Sequence, residues 1–144
     1  MAPDGIIIIP KTYDIGRCAA LSSAVAGQPF YVSDEIPERT VQMDVGPNGR
    51  LSNAREVHSR GGYSTAVDKE GNLYIAAGQI FVYDKSCKEI NRINVEERPI
   101  SIALGGKDGN TLFMTTNSSL YIVRVKQDNY CYYEENIISI YLTE

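Results

Sequence analysis

One pattern of turns and short apolar runs occurs twice in succession between residues 61 and 126. In the first copy, the turn residues 68–72 lead into the strand-like run 73–77. In the second copy, residues 107–110 lead into the run 112–116 in the same way. Both turns contain glycine and asparagine, which tolerate the positive φ that tight turns between strands require. The repetition predicts a fold built from one recurring unit.

Each copy continues through a second short turn into another strand-like run, residues 80–84 and 120–124. A third copy lies upstream, with residues 30–34 and 40–44 in the corresponding places. A recurrence of roughly 40 residues made of short strands is typical of a β-propeller, in which each repeat is one four-stranded blade. We therefore predict an all-β, propeller-type fold of about three four-stranded blades.

The blade limits predicted from the repeat are residues 17–60, 61–98 and 99–143, within a single domain spanning residues 1–144. Small apolar residues between positions 17 and 25 suit an innermost strand near a central axis, although a buried helical turn is an alternative. The last repeat lacks its fourth strand at the expected place. The Tyr- and Ile-rich residues 130–142 are expected to supply it by pairing with residues 120–126.

Composition excludes several classes of partner. The 144-residue chain has a net charge of −4 and no Lys/Arg cluster with interleaved aromatics, so nucleic acid is not an expected partner.

The three cysteines, Cys18, Cys87 and Cys131, are too irregularly spaced for a zinc motif or a disulfide framework and are interpreted as free or buried thiols. Ile6 to Ile9 form too short an apolar run for a signal peptide or a membrane span. We expect a soluble chain with no membrane partner, and the sequence assigns it no compartment.

Few residues indicate catalysis. His58 is the only histidine, and it lies beside a predicted outer strand, which favours a surface histidine over a general base. The carboxylates Asp34, Asp44, Asp68 and Asp84 stand at strand ends, where aspartate commonly closes a turn. A site for a hard cation built from two or three of them is the alternative.

Two groups of residues resemble a known family in their order and spacing. Residues 30–34, 43–55 and 66–76 form the first group, and residues 98–113 form the second. Together they resemble the gluconolactonase and senescence-marker-protein (regucalcin), or LRE-like, family. The resemblance implies a six-bladed propeller with one divalent cation at its axis. It also implies an enzyme that uses this cation to hydrolyse sugar lactones and related esters. It covers only the later half of such a propeller.

The resemblance also indicates where the family's metal ligands would fall. An asparagine ligand of the family corresponds here to Cys18, and an aspartate that is both ligand and base corresponds to Tyr63. A phenol is protonated at neutral pH and is a poor calcium ligand. The family's glutamate ligand would lie upstream of Met1, and Asp4 is a weak substitute in a similar local motif. We therefore predict no metal and no cofactor, with calcium or zinc expected only if the site persists in another form.

We predict a fragment or domain of a gluconolactonase-like propeller that has lost the family's metal ligands and serves as a binding or assembly module. The alternative is a metal-dependent hydrolase of sugar lactones or related esters whose site another chain completes. Whether the chain is an enzyme stays undecided. Three blades of a six-bladed ring would leave two apolar blade faces open. We therefore expect either a homodimer or a missing upstream half-propeller to cover them.

Overall fold

Three antiparallel sheets of four strands each make up the fold. The computed structural model describes residues 16–22, 26–125 and 138–141, and for the last four it describes the backbone alone. In every sheet the strands pair in chain order, so each sheet is one up-and-down blade. The prediction of an all-β, propeller-type fold with three four-stranded blades is confirmed.

The strands of each blade are numbered in chain order. Blade 1 contains β1 (Cys18–Leu21), β2 (Pro29–Asp34), β3 (Arg39–Val45) and β4 (Leu51–His58). Blade 2 contains β5 (Ser64–Val67), β6 (Leu73–Ala77), β7 (Gln79–Tyr83) and β8 (Glu89–Ile93). Blade 3 contains β9 (Ser101–Gly105), β10 (Thr111–Thr115), β11 (Ser119–Arg124) and β12 (Ile138–Tyr141).

The inner strands stand side by side, because β5 contacts both β1 and β9. Two segments carry the chain from the outer strand of one blade to the inner strand of the next. We call residues 59–63 crossover A and residues 94–100 crossover B. Both reach the same end of the blades as the β2–β3 and β6–β7 turns, since strand direction alternates within each blade. We call this end the crossover end.

The interface between blades 2 and 3 is an apolar core. It contains ten buried side chains, with Ile102, Leu112, Met114 and Tyr121 contributed by blade 3. Leu112 and Met114 are fully buried. Polar contacts also cross between these blades: the Ile102 amide donates to Ser64 Oγ over 3.0 Å, and Lys69 Nζ donates to the Asp108 carbonyl over 2.6 Å. This is the largest of the three buried apolar clusters of the described residues, and burial of apolar surface stabilises the fold by roughly 25 cal/mol per Å².

The interface between blades 1 and 2 has a different composition. Its buried cluster is Tyr31, Leu73, Ile75, Phe81 and Tyr83, and Tyr31 is the member that blade 1 supplies. Polar and aromatic contacts provide much of the rest. The Gly62 amide donates to Ser33 Oγ over 2.6 Å, which joins crossover A to blade 1.

Tight turns close the hairpins at the end opposite the crossovers, as the turn residues predict. In the turn after β5, the Gly71 amide donates to the Asp68 carbonyl over 3.0 Å, and Gly71 has φ +82°. The turn after β7 has the same bond, from the Cys87 amide to the Asp84 carbonyl over 2.9 Å. Cys87 therefore occupies a glycine-like position at φ +66°. The left-handed backbone conformation is unfavourable for residues that carry a Cβ, so cysteine at this position costs conformational energy.

The sequence predictions for the chain ends are tested only in part. β12 pairs with β11 as the fourth strand of blade 3, so a strand does form within residues 130–142. Ile6 to Ile9, Asp4 and Cys131 lie outside the described residues. No helix in the described part of the chain is both long and apolar enough to cross a membrane.

Candidate functional site

Crossover A passes between blades 1 and 2 at very close range. A Cβ on Gly61 would overlap the Asp34 carbonyl, and a Cβ on Gly62 would overlap the Ala76 carbonyl. Both neighbours are backbone atoms of strands and cannot rotate away. The Gly61-Gly62 pair is therefore a steric requirement of this crossover, and the signal for it in the sequence is two adjacent glycines between two predicted blades.

A cleft of about 250 Å³ opens at the crossover end, where the two crossovers approach the β2–β3 and β6–β7 turns. Its lining includes the close-packed glycines of crossover A, charged side chains of both signs and one tyrosine. The lining residues are Glu35, Glu38, Arg60, Gly61, Gly62, Tyr63, Ala77, Gly78 and Arg98.

Tyr63 and Arg98 form a stacked pair in the cleft wall. The Arg98 guanidinium carbon lies 4.6 Å from the centroid of the Tyr63 ring, which is a cation–π contact between the two crossovers. Arg98 is exposed. Within the described residues it has no carboxylate partner, so its hydrogen-bond donors remain available to a bound molecule.

Arg60 also lines the cleft, but its guanidinium points into the interface between blades 1 and 2. Its Nε donates to the Tyr83 hydroxyl over 2.9 Å, and its guanidinium carbon lies 3.5 Å from the Phe81 ring centroid. The Thr40 hydroxyl donates to the Arg60 carbonyl over 2.7 Å, which fixes the backbone at the start of the crossover. The Arg60 guanidinium is therefore engaged in the interface between blades 1 and 2.

Glu97 holds crossover B in place through a cluster of hydroxyls. Its carboxylate accepts hydrogen bonds from Thr116 at 2.6 Å, Ser118 at 2.8 Å and Ser119 at 2.7 Å, all in or beside the β10–β11 turn. These bonds, led by the one from Thr116, lower the pKa of Glu97 to about 2. The anchor fixes the backbone next to Arg98, and sequence reasoning missed both residues because the hydroxyl partners are about 20 positions away.

Asp34 anchors the chain at the entry to blade 1. This fully buried carboxylate accepts the backbone amides of Arg17 at 2.7 Å and Gly16 at 2.8 Å. Burial alone would raise the pKa of Asp34, but those amides and the nearby Arg39 guanidinium outweigh burial and hold the pKa below its ordinary value. Its oxygens are thus committed to the fold.

The expectation that His58 is a surface residue is wrong. Only 8% of His58 is exposed, and its ring lies 3.8 Å from the Tyr83 ring, centroid to centroid. Burial, aided by the nearby Arg60 charge, lowers the pKa of His58. The sequence placed His58 beside an outer strand, but it is the last residue of β4, where the strand returns to the interface between blades 1 and 2.

Cys18 and Tyr63, where the resemblance implies metal ligands, offer donor atoms that do not suit a hard divalent cation such as calcium. Cys18, an exposed free thiol, begins β1, and Tyr63 is engaged by Arg98 just before β5. Hard cations prefer carboxylate, amide or carbonyl oxygens, and neither side chain supplies one. The described residues also contain no group of three His, Cys, Asp or Glu side chains arranged to hold a metal. The absence of a bound cation stays a prediction.

The four strand-end aspartates do not come together. Asp68 accepts the Asn72 amide over 2.8 Å and Asp84 accepts the Ser86 amide over 2.8 Å, which are the turn-closing bonds expected of them. Asp44 instead accepts the Asn53 side-chain amide over 2.8 Å. These three lie at the end of the blades away from the crossovers, whereas Asp34 ends β2 at the crossover end. The alternative of a cation site shared among them has no support in the described residues.

Comparison with known proteins gives one family match. The family described as SMP-30/Gluconolactonase/LRE-like region matches residues 18–118, well over half of the chain. No curated protein sequence matches closely enough to count as a relative.

Solved structures of similar fold include the following three. A gluconolactonase from Xanthomonas campestris has a TM-score of 0.72 and 21% identity, over 86% of this chain and 42% of its own. A second protein of gluconolactonase type has a TM-score of 0.70 and 20% identity, over 96% of this chain and 45% of its own. Regucalcin, a calcium-binding protein from Agrobacterium tumefaciens, has a TM-score of 0.62 and 21% identity, over 80% and 41%. The chain spans less than half the length of each.

Proposed function

The chain belongs to the SMP-30/gluconolactonase/LRE-like family, and we propose that it binds a small polar molecule in the crossover-end cleft without metal-dependent hydrolysis. The observation that carries this proposal is the stacked pair of Tyr63 and Arg98 in the cleft wall. Tyr63 stands where the family resemblance implies a metal-binding aspartate, so a binding group has replaced a catalytic one.

The chemistry of the pair indicates the kind of ligand. The Arg98 guanidinium is a fork of donors suited to a carboxylate, and the Tyr63 hydroxyl both donates and accepts. Glu38 also lines the cleft and has no ion-pair partner among the described residues, whereas Glu35 lies 3.1 Å from the Arg17 guanidinium. A hydroxylated carboxylic acid suits this lining, with its carboxylate on Arg98 and its hydroxyls on Glu38 and Tyr63.

Both crossovers that line the cleft are held by contacts within the fold. Crossover A packs directly against the Asp34 and Ala76 carbonyls at its two glycines, and crossover B is held by the hydrogen bonds of Glu97. A preformed site avoids much of the ordering cost of binding. A volume of about 250 Å³ is just below the usual range of small-molecule pockets, which favours a ligand with few heavy atoms.

Gluconolactone and its open acid, gluconate, test the proposal, because one of the similar structures is named a gluconolactonase. We expect no lactone hydrolysis above background with calcium, zinc or manganese added, and measurable gluconate binding by titration calorimetry. Arg98→Ala should weaken that binding at least about tenfold. Arg50→Ala, which removes an exposed arginine at the other end of blade 1, is the matched control and should have no effect.

Metal-dependent turnover that is lost in Tyr63→Phe would overturn the proposal and favour the hydrolase alternative. Elemental analysis of the purified protein provides an independent check, and a stoichiometric cation would count in the same direction. Tyr63→Asp combined with Cys18→Asn restores two oxygen ligands at the family positions. We expect this double variant to gain affinity for calcium relative to the natural chain, and an unchanged calorimetric titration would contradict the residue correspondence.

A further inference from the structure

The two glutamates of the cleft lining differ in how their charges are balanced. Glu35 lies 3.1 Å from the Arg17 guanidinium, so an opposite charge within the fold balances its own. Glu38 lines the same cleft and is exposed. In the part of the chain that the structure describes, its carboxylate forms no ion pair. The charge of Glu38 is therefore available to a molecule in the cleft.

The backbone conformation at Glu38 is unusual for a glutamate. An unpaired glutamate on a protein surface is ordinary, but Glu38 has φ +50°, in the left-handed region that glycine and asparagine adopt more readily. Its amide donates to the Glu35 carbonyl over 3.3 Å within the β2–β3 turn. Backbone strain of this kind is concentrated at active sites and ligand-binding sites. A glutamate held there at a conformational cost is a candidate for ligand recognition.

The two arginines of the cleft lining do not neutralise Glu38. The Arg60 guanidinium donates to the Tyr83 hydroxyl in the interface between blades 1 and 2. The Arg98 guanidinium stacks on the Tyr63 ring. Neither arginine forms an ion pair with Glu38. The cleft therefore presents the Glu38 carboxylate together with a guanidinium, that of Arg98, which no carboxylate of the described residues balances.

A ligand that fills the cleft must compensate both of these charges. A simple hydroxy acid brings one negative charge, which pairs with Arg98 and leaves the Glu38 carboxylate to accept from a neutral hydroxyl. The ligand also displaces water from Glu38, and removing water from a charge is costly unless an opposite charge accompanies it. Hydrogen bonds between an ammonium group and a carboxylate are roughly twice as strong as neutral ones. The charges of the lining therefore favour a zwitterion over a hydroxy acid.

We propose that the ligand of the cleft is a small hydroxylated amino acid, with its carboxylate on Arg98 and its ammonium group on Glu38. This inference rests on the proposed function, since it keeps the same cleft and the same contact with Arg98. It adds the charge of the ligand and makes Glu38 the residue that sets specificity. The two charged groups of an α-amino acid lie on adjacent carbons, so such a ligand is compact enough for a cleft of about 250 Å³.

Two probes that differ in a single group test the inference. Gluconate and 2-amino-2-deoxygluconate share one carbon skeleton, and the second has an ammonium group in place of the hydroxyl next to the carboxylate. Calorimetric titration at pH 7 should show at least about tenfold tighter binding of the amino compound. Glu38→Gln should remove this preference and change the affinity for gluconate by less than about twofold. Glu56→Gln is the matched control, because Glu56 is exposed on β4 and does not line the cleft; it should keep the preference.

Glu38→Asn separates ligand recognition from a structural role in the turn. Asparagine tolerates the left-handed backbone better than glutamate, so this variant should melt no lower than the natural chain and should also lose the preference. Equal affinity of the natural chain for both probes would overturn this inference and leave the proposed function standing. A preference that survives in both Glu38 variants would overturn it as well. Failure of both probes to bind would overturn the proposed function together with the inference.

Discussion

The two interfaces between neighbouring blades are built by different means. Blades 2 and 3 meet through a core of ten buried side chains, most of them aliphatic. Blades 1 and 2 meet through stacked rings, a guanidinium and a backbone approach that only glycine permits. Aliphatic packing is insensitive to direction, whereas stacking and close backbone contact fix orientation.

The cleft lies beside the more polar of the two interfaces. The cleft lies at the crossover end of the interface between blades 1 and 2, which has the fewer aliphatic contacts and the more polar ones. Polar side chains that hydrogen-bond or stack with one another keep fixed positions, so they can line a cleft without filling it. The comparison suggests that the interface between blades 2 and 3 supplies stability and the interface between blades 1 and 2 supplies geometry.

Leu112→Ala should have the largest effect and tests the first half of that statement. Leu112 is fully buried in the core between blades 2 and 3, and removing three carbons there leaves a cavity. We expect a loss of about 3 to 4 kcal/mol in the free energy of unfolding, measured by urea denaturation. Leu21→Ala, at a side chain that is 62% exposed, should cost less than about 0.5 kcal/mol.

Gly62→Ala comes next and tests the second half. The added Cβ cannot fit beside the Ala76 carbonyl, so crossover A must shift away from blade 2. We expect a loss of about 3 kcal/mol, with faster hydrogen exchange at Tyr63 than at Ile102. Gly46→Ala is the control, because its Cβ would meet its nearest neighbour at 3.4 Å. Equal exchange rates at Tyr63 and Ile102 would show that the two interfaces open together and would remove the distinction.

Glu97→Gln should have a smaller effect, confined to crossover B. The folded-state pKa of Glu97 is lowered from 4.5 to about 2, so its carboxylate stabilises the fold above pH 4.5 and loses that contribution as the pH falls toward 2. The melting temperature of Glu97→Gln should be below that of the natural chain at pH 7, and the gap should narrow on acidification. Glu96→Gln, at the exposed neighbouring glutamate, should show no gap. A difference in melting temperature that does not change with pH would mean that the negative charge of Glu97 is not what stabilises crossover B.

The smallest expected effect is the pH response of the interface between blades 1 and 2. The pKa of His58 is lowered in the folded state, so the unfolded chain takes up a proton first and stability falls as the pH drops below about 6.5. His58→Phe keeps a ring against Tyr83 and removes the proton. Unfolding curves at pH 7.5 and 5.5 should differ less for His58→Phe than for the natural chain. An identical difference in both would exclude His58 as the titrating group.

Sequence reasoning predicted the fold more completely than the site. The repeated turns at residues 68–72 and 107–110 are local signals, and they located strands β6 and β10 correctly. The site depends on pairs distant in sequence, such as Tyr63 with Arg98 and Glu97 with Thr116. No local sequence pattern identifies such pairs, because the two partners meet only when separate segments of the chain pack together.

The sequence by itself determined the blade count, the turn chemistry and the family, because each is written in short-range spacing of glycine, asparagine and apolar residues. Tertiary structure decided that His58 is buried, that the apolar side chains of blade 1 pointing away from blade 2 are buried and that Arg98 rather than Arg60 presents its guanidinium to the cleft. These outcomes depend on how neighbouring blades pack, since burial and electrostatic environment belong to the interface between two sheets and not to the strand that carries the residue.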